Sequence, residues 1–154
     1  MDTVIATTVL AEIQAILASD LEREAQLMAV CRTLADHIPT YNWVGFYLVD
    51  PNHARELVLG PFVGAPTEHT RIKFGQGICG QAAEREQTFV IQDVSAETNY
   101  LSCSAHVKSE IVIPVFRDGG VVGELDIDSH TLAPFSMTDR QVLEQIAALV
   151  APLL

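Results

Sequence analysis

Residues 111–116 and 121–127 are two runs of β-branched and apolar side chains flanking Arg117-Asp118-Gly119-Gly120, a strong turn signal. Such a pattern predicts an antiparallel hairpin. Pro114 cannot donate to a ladder, which marks an edge or a bulge in the first strand. With Asp118, Gly119 and Gly120 as the loop, Arg117 pairs with Val121, Glu110 lies across from Asp128, and Val112 lies across from Asp126. Glu110, Asp126 and Asp128 then share one face. A loop shorter by one residue would shift the register and send Glu110 to the other side. Burying an ionised carboxylate costs several kcal/mol unless a partner compensates it, so three acids on apolar strands single out this hairpin as the place to look for function. Cys103, just upstream, would bring a nucleophilic thiol to it.

The rest of the chain supplies helices to cover a sheet. Ile13, Ile16 and Leu17, then Leu27, Cys31, Leu34 and Ile38, recur at helical spacing and predict two N-terminal helices, the second ending before Pro39. Cys31 lies on the apolar stripe and reads as a small buried hydrophobe. Residues 42–49 form an aromatic and β-branched strand that hairpins to residues 56–59, with Trp43 and Tyr47 on one face. Residues 60–66 read as a Gly/Pro-rich connection, 77–86 as a short helix, 88–92 as a strand and 93–109 as a long loop holding Cys103. Residues 138–154 close the chain as a docking helix, with Thr138 and Gln141 as its capping box. The order predicts a single α+β domain over residues 1–154, an antiparallel sheet covered by helices.

Charge narrows the ligand. The formal net charge is −11 over 154 residues, which opposes nucleic acid and anionic membrane, since both require clustered Lys and Arg; a cationic or zwitterionic small molecule fits better. Apolar runs are far short of a membrane span and the Met1-Asp2-Thr3-Val4 start lacks a basic signal region, so a soluble, cytoplasmic protein is expected. The chain has 3 cysteines, an odd count that argues for redox or nucleophilic use over a structural disulfide framework.

Gly75-Gln76-Gly77-Ile78-Cys79-Gly80 formally matches G-x-G-x-x-G, with Asp93 downstream. The run before it is short and half polar, and no βα units follow, so a nicotinamide or flavin site is not expected. The same glycines place Cys79 in the first turn of a helix, where the dipole is expected to favour a thiolate. Cys103 and His106 could join His69 and Cys79 as metal ligands, but without a second close ligand pair no metal site is expected. As a general base for Cys103, His106 is no better than a solvated loop histidine.

Asn42-Trp43-Val44-Gly45-Phe46-Tyr47, Gly60-Pro61-Phe62, Phe74-Gly75-Gln76-Gly77-Ile78-Cys79-Gly80, Cys103, Ser109-Glu110-Ile111-Val112 and Leu125-Asp126-Ile127-Asp128-Ser129 together resemble the free methionine-(R)-sulfoxide reductases, which are stand-alone GAF domains. The resemblance implies a central antiparallel sheet of about six strands with helices on both faces and a small enclosed pocket. It also implies reduction of free methionine-(R)-sulfoxide by thiol chemistry, with no bound cofactor. Cys103 matches the family's catalytic cysteine and Cys79 a second cysteine that takes part in regeneration. Glu110, Asp126 and Asp128 match its carboxylates, with Glu110 and Asp128 in the proton chemistry, and Trp43 and Tyr47 match its aromatic wall. The family commonly has a further cysteine, often the favoured resolving thiol, where this chain has His69. That leaves Cys79, or an external thiol, for the resolving step.

The chemistry is self-consistent. A thiolate attacks the sulfoxide sulfur, the oxygen takes a proton, and the resulting sulfenic acid condenses with a second thiol. A carboxyl raised by acidic neighbours can give that proton, and an ionised neighbour can hold the substrate's α-ammonium. Expected partners are free methionine sulfoxide and thioredoxin, or another thiol, as external reductant, and a homodimer is compatible with such a domain. The competing expectation is a non-catalytic GAF sensor of a small molecule. A bilin-binding version is disfavoured, since no Cys-His dipeptide is present.

Overall fold

The computed structural model describes residues 1–102 and 104–154. Helices α1 (Thr3–Leu17) and α2 (Arg23–His37) precede strands β1 (Trp43–Val49), β2 (Glu56–Val63) and β3 (Arg71–Lys73). Helix α3 (Gly77–Arg85), strand β4 (Phe89–Ile91), strands β5 (Ser109–Arg117) and β6 (Gly120–Ser129), and helix α4 (Met137–Val150) follow. The strands form one 6-stranded sheet in the order β3-β2-β1-β6-β5-β4, and every paired neighbour is antiparallel. This is the expected α+β architecture.

Alternation along the strands divides the molecule into two layers. Val44, Phe46, Ile111, Ile113, Val115, Leu125 and Ile127 point to one face, where they join Val9 and Ile13 of α1, Leu27 and Leu34 of α2, and Leu143 and Ile146 of α4 in the main core. Cys31 is fully buried in that core, as its helical spacing indicates. The opposite face is covered by α3, whose Ile78, Cys79, Ala82 and Ala83 pack with Trp43, Tyr47 and Val112.

The β5–β6 hairpin reaches the expected register by another route. The turn is shorter by one residue than expected: Asp118 and Gly119, both with positive φ, form it, and Arg117 pairs with Gly120. That geometry is the primed turn whose twist matches the strands. A bulge then restores the alignment, because Phe116 pairs with Val121 but Val115 pairs with Gly123. Val122 is the extra residue. Beyond it Glu110 lies opposite Asp128 and Val112 opposite Asp126. Pro114 sits past the end of β4, which pairs only with Glu110, Ile111 and Val112, so its missing N–H falls on an open edge.

Two local boundaries differ from expectation. Gly60 and Pro61 do not belong to a connection; they lie inside β2, in a bulge where both oppose Phe46, between the Gly45–Phe62 and Tyr47–Leu59 pairs. A bulge tolerates both residues because neither has to complete a ladder. Helix α4 begins earlier than residue 138: Ser136 is its N-cap and Asp139 completes the capping box, so the Ser136 and Asp139 pair displaces Thr138 and Gln141 from that role.

Candidate active site

The β1–β6–β5 ladder assembles the site in three rungs. Each rung joins one residue from each strand: Trp43, Asp128 and Glu110; Gly45, Asp126 and Val112; Tyr47, Glu124 and Pro114.

 Alternation on β6 therefore puts a fourth acid, Glu124, beside the expected three. Glu110, Glu124, Asp126 and Asp128 are all at least 95% buried. Glu124 was not singled out from the sequence, although its spacing from Asp126 and Asp128 is the same two-residue period that marks those two.

The aromatic wall forms at the β1 end. Trp43 stacks on Phe62 with ring centroids 5.3 Å apart and on Tyr47 at 6.3 Å. Trp43 Nε1–H donates to the Ala65 carbonyl at 3.0 Å and the Tyr47 hydroxyl to the His69 carbonyl at 2.7 Å. Both rings are thus tied to the segment between β2 and β3. Gly45 is required beneath them, because a Cβ there would lie 2.5 Å from Trp43 Cη2. Phe62, expected in a connection, takes its place in the wall through its pairing with Gly45, as part of β2.

Helix α3 closes the acid face. The glycine-rich run that precedes it links an antiparallel edge strand to a helix, so it lacks the parallel strand a dinucleotide site requires. Its glycines serve packing instead: a Cβ on Gly80 would lie 2.5 Å from the Lys73 carbonyl oxygen. Gly77 N–H donates to Asn99 Oδ1 at 2.8 Å, and Asn99 Nδ2 donates to the Gly75 carbonyl at 2.8 Å. Asn99 thereby fastens the segment after β4 to the start of α3.

Cys79 meets the acids with its thiol 3.7 Å from Glu110 Oε2. Contrary to the thiolate expected at a helix start, its pKa is pushed well above the usual thiol value, first by burial and then by Asp126, Glu124, Glu110 and Asp128. A helix dipole contributes about 0.3–1 kcal/mol near the surface, which full burial among carboxylates outweighs. Cys79 is therefore a thiol at rest.

Burial raises Asp126, and it raises Glu124 and Asp128 well above the carboxylate range, with Asp126 adding repulsion in both cases. Glu110 stands beside Asp126 and offsets part of the effect of burial on it. Both Glu124 oxygens, Asp126 Oδ1 and Asp128 Oδ2 are buried with no hydrogen-bond partner among the described residues. None of the ion pairs among the described residues involves Glu124, Asp126 or Asp128. Buried acids in that condition suit a ligand that brings positive charge and donors.

A cavity of about 10 Å³ lies beside them, lined by His69, Ile72, Cys79, Leu101 and Glu110 among others. That volume is at most one water. His69 is hydrogen-bonded through Nε2 to the Ser102 carbonyl at 2.9 Å, a side-chain contact that joins two loops of the wall. Of the expected site residues, Trp43, Tyr47, Cys79, Glu110, Asp126 and Asp128 come together here, while Cys103 lies outside the described residues. His106 is exposed and packs its ring 5.9 Å from that of His130. No helix is long and apolar enough to cross a membrane among the described residues.

The chain is similar to proteins of one family. The GAF domain family model matches residues 4–154. GAF domain-containing protein A of Dictyostelium discoideum is 40% identical over 141 residues, covering 92% of this chain and 87% of that protein. The free methionine-R-sulfoxide reductase of Escherichia coli is 36% identical over 137 residues, covering 89% of this chain and 81% of that protein. Among solved structures, the free methionine-R-sulfoxide reductase of Neisseria meningitidis in complex with its substrate superposes with a TM-score of 0.90 at 40% identity, covering 96% of this chain and 87% of that one.

Proposed function

The chain belongs to the GAF domain family, in the group of the free methionine-R-sulfoxide reductases, and on that premise we propose that it reduces free L-methionine-(R)-sulfoxide to methionine by thiol chemistry. The observation that carries the reading is the gathering of Glu110, Asp126 and Asp128 on one buried face beside the Trp43 and Tyr47 rings. Free methionine sulfoxide carries an α-ammonium that a peptide-bound residue lacks, and a buried acid cluster is the counterpart that distinguishes them. The aromatic rings enclose the S-methyl group.

Cys103 is the nucleophile. Its sulfur attacks the sulfoxide sulfur, the oxygen passes from that sulfur to the Cys103 sulfur as the transient S–S bond and the substrate's S–O bond break, methionine leaves and Cys103 becomes a sulfenic acid. Asp126, raised by burial beside Glu110, can supply a proton to that oxygen. Asp128, with Oδ2 unpartnered among the described residues, ionises when the ammonium arrives and pairs with it. Cys79 then condenses with the sulfenic acid to give a disulfide and water, and Glu110 Oε2, 3.7 Å from its sulfur, can take the thiol proton in that step. A dithiol reductant, thioredoxin or a similar small thiol protein, supplies two electrons and two protons to regenerate both thiols. Substrate entry requires the His69–Ser102 contact to open, since the cavity is too small for the ligand.

The test is mass spectrometry after one equivalent of free methionine-(R)-sulfoxide without reductant, alongside turnover of Cys103→Ser. A Cys79–Cys103 disulfide and a dead Cys103→Ser variant support the cycle. A persistent sulfenic acid on Cys103 removes Cys79 from it, and turnover by Cys103→Ser rejects the enzyme reading.

A further inference from the structure

The geometry points to Cys79, Glu110 and Asp126 as the ligands of a thiophilic divalent cation, zinc or a chemical equivalent, that binds in the acid cluster beside the Asp128 seat of the substrate's ammonium and so holds the protein in a closed, idle state. The sulfur of Cys79 and a carboxylate oxygen from each acid lie within 4.8 Å of one another, all three residues buried. Zinc bonds of about 2.3 Å to sulfur and 2.0–2.2 Å to oxygen at the tetrahedral angle set a sulfur–oxygen spacing of about 3.6 Å. Cys79 Sγ stands 3.7 Å from Glu110 Oε2. Two of three ligands are therefore at coordination spacing before any ion arrives.

A second observation is independent of that cluster. Glu124 is fully buried with neither carboxyl oxygen partnered among the described residues, and it lies against Cys79. It stands outside the three-ligand group, where its charge would face the ion. Buried polar atoms left without partners are costly, and an ion bound between them satisfies several at once. The small space favours a cation too: an ion needs only the gap between its ligands, whereas methionine sulfoxide needs the wall of His69 and Leu101 to move. Thiolate with carboxylates also selects zinc or cadmium over magnesium or calcium, which take oxygen ligands alone.

Binding displaces the Cys79 thiol proton, with no change of oxidation state. The ion also masks the thiol that resolves the sulfenic acid. That the ion excludes substrate rests on the function proposed above; that it binds does not.

The experiment titrates the fully reduced protein with cadmium ion in chelator-free, thiol-free buffer, following the ultraviolet sulfur-to-cadmium charge-transfer band. Wild type and Cys103→Ser should saturate at one equivalent, Cys79→Ser should lose the band, and Asp126→Asn should weaken half-saturation by about tenfold or more. Circular dichroism checks the fold of each variant, and Asp126→Asn decides the matter if Cys79→Ser does not fold. Absence of the band in wild type, its survival in Cys79→Ser, or unaltered affinity in Asp126→Asn overturns the site. Added free methionine-(R)-sulfoxide should shift cadmium half-saturation upward, and no shift overturns exclusion. Turnover without a cadmium band sinks this site and leaves the reductase standing, whereas a band without turnover does the reverse.

Discussion

The two faces of the central sheet are made by the same strands and obey opposite rules. On β5 and β6, Ile111, Ile113, Leu125 and Ile127 point into the helices α1, α2 and α4, while Glu110, Glu124, Asp126 and Asp128 alternate with them and point at α3. Both sets are buried to nearly the same extent. The apolar face gains hydrophobic transfer energy for each side chain it hides, about 1.5–3 kcal/mol for a large one. The acid face loses energy for each carboxyl it hides, unless the group stays protonated or meets a cation. A two-residue period thus lets one hairpin carry the stability of the fold and the chemistry of the site, and each can be altered with limited effect on the other.

Substitutions on the acid face should damage activity and spare the fold. Glu110→Gln, which removes the carboxyl beside Asp126 and Cys79, should lower kcat/KM for free methionine-(R)-sulfoxide by about 10²–10⁴-fold with an ordinary melting curve. A matching fall in stability would erase the distinction between the faces. The apolar face should behave the other way: Leu143→Ala, at a fully buried core position, should cost about 2–5 kcal/mol of stability by denaturant titration. Its folded fraction should keep its kcat/KM. The sharpest contrast comes from a buried acid whose removal is expected to help, since Glu124 has no partner for either oxygen among the described residues. Glu124→Met should add about 1–3 kcal/mol of stability at neutral pH.

That gain should depend on pH with a definite sign. Glu124, Asp126 and Asp128 all have folded-state pKa values raised above the carboxylate range. Above about pH 4 the unfolded chain releases these protons while the folded chain keeps them, so stability falls as pH rises until the folded carboxyls ionise. Glu124→Met should flatten part of that fall. A flat wild-type profile from acid to neutral pH would mean the acids ionise as freely folded as unfolded.

Much of this was legible in the sequence, for reasons that can be traced. The period-two pattern of residues 110–128 placed three acids on one face, and the helical spacing of Leu27, Cys31 and Leu34 placed α2 on the other. The register came out as expected although the loop did not, because the Val122 bulge adds back the residue that the tighter Asp118-Gly119 turn leaves out. Bulges depend on the partner strand and leave no local signal. Glu124 carried the signal but sits opposite Pro114 near the open edge, where an acid reads as solvent-exposed until α3 is seen to cover it. The protonated state of Cys79 was hidden for the same reason: helix position is local, whereas burial among four carboxyls comes from strands distant in sequence.

The central claim is that the acid face exists to receive an ammonium group. The most direct measurement compares turnover of free methionine-(R)-sulfoxide with that of its N-acetyl derivative, which has the same sulfoxide and no positive charge. The account predicts rapid turnover of the free amino acid and a loss of at least about 10²-fold in kcat/KM on acetylation. Equal turnover of the two would contradict it.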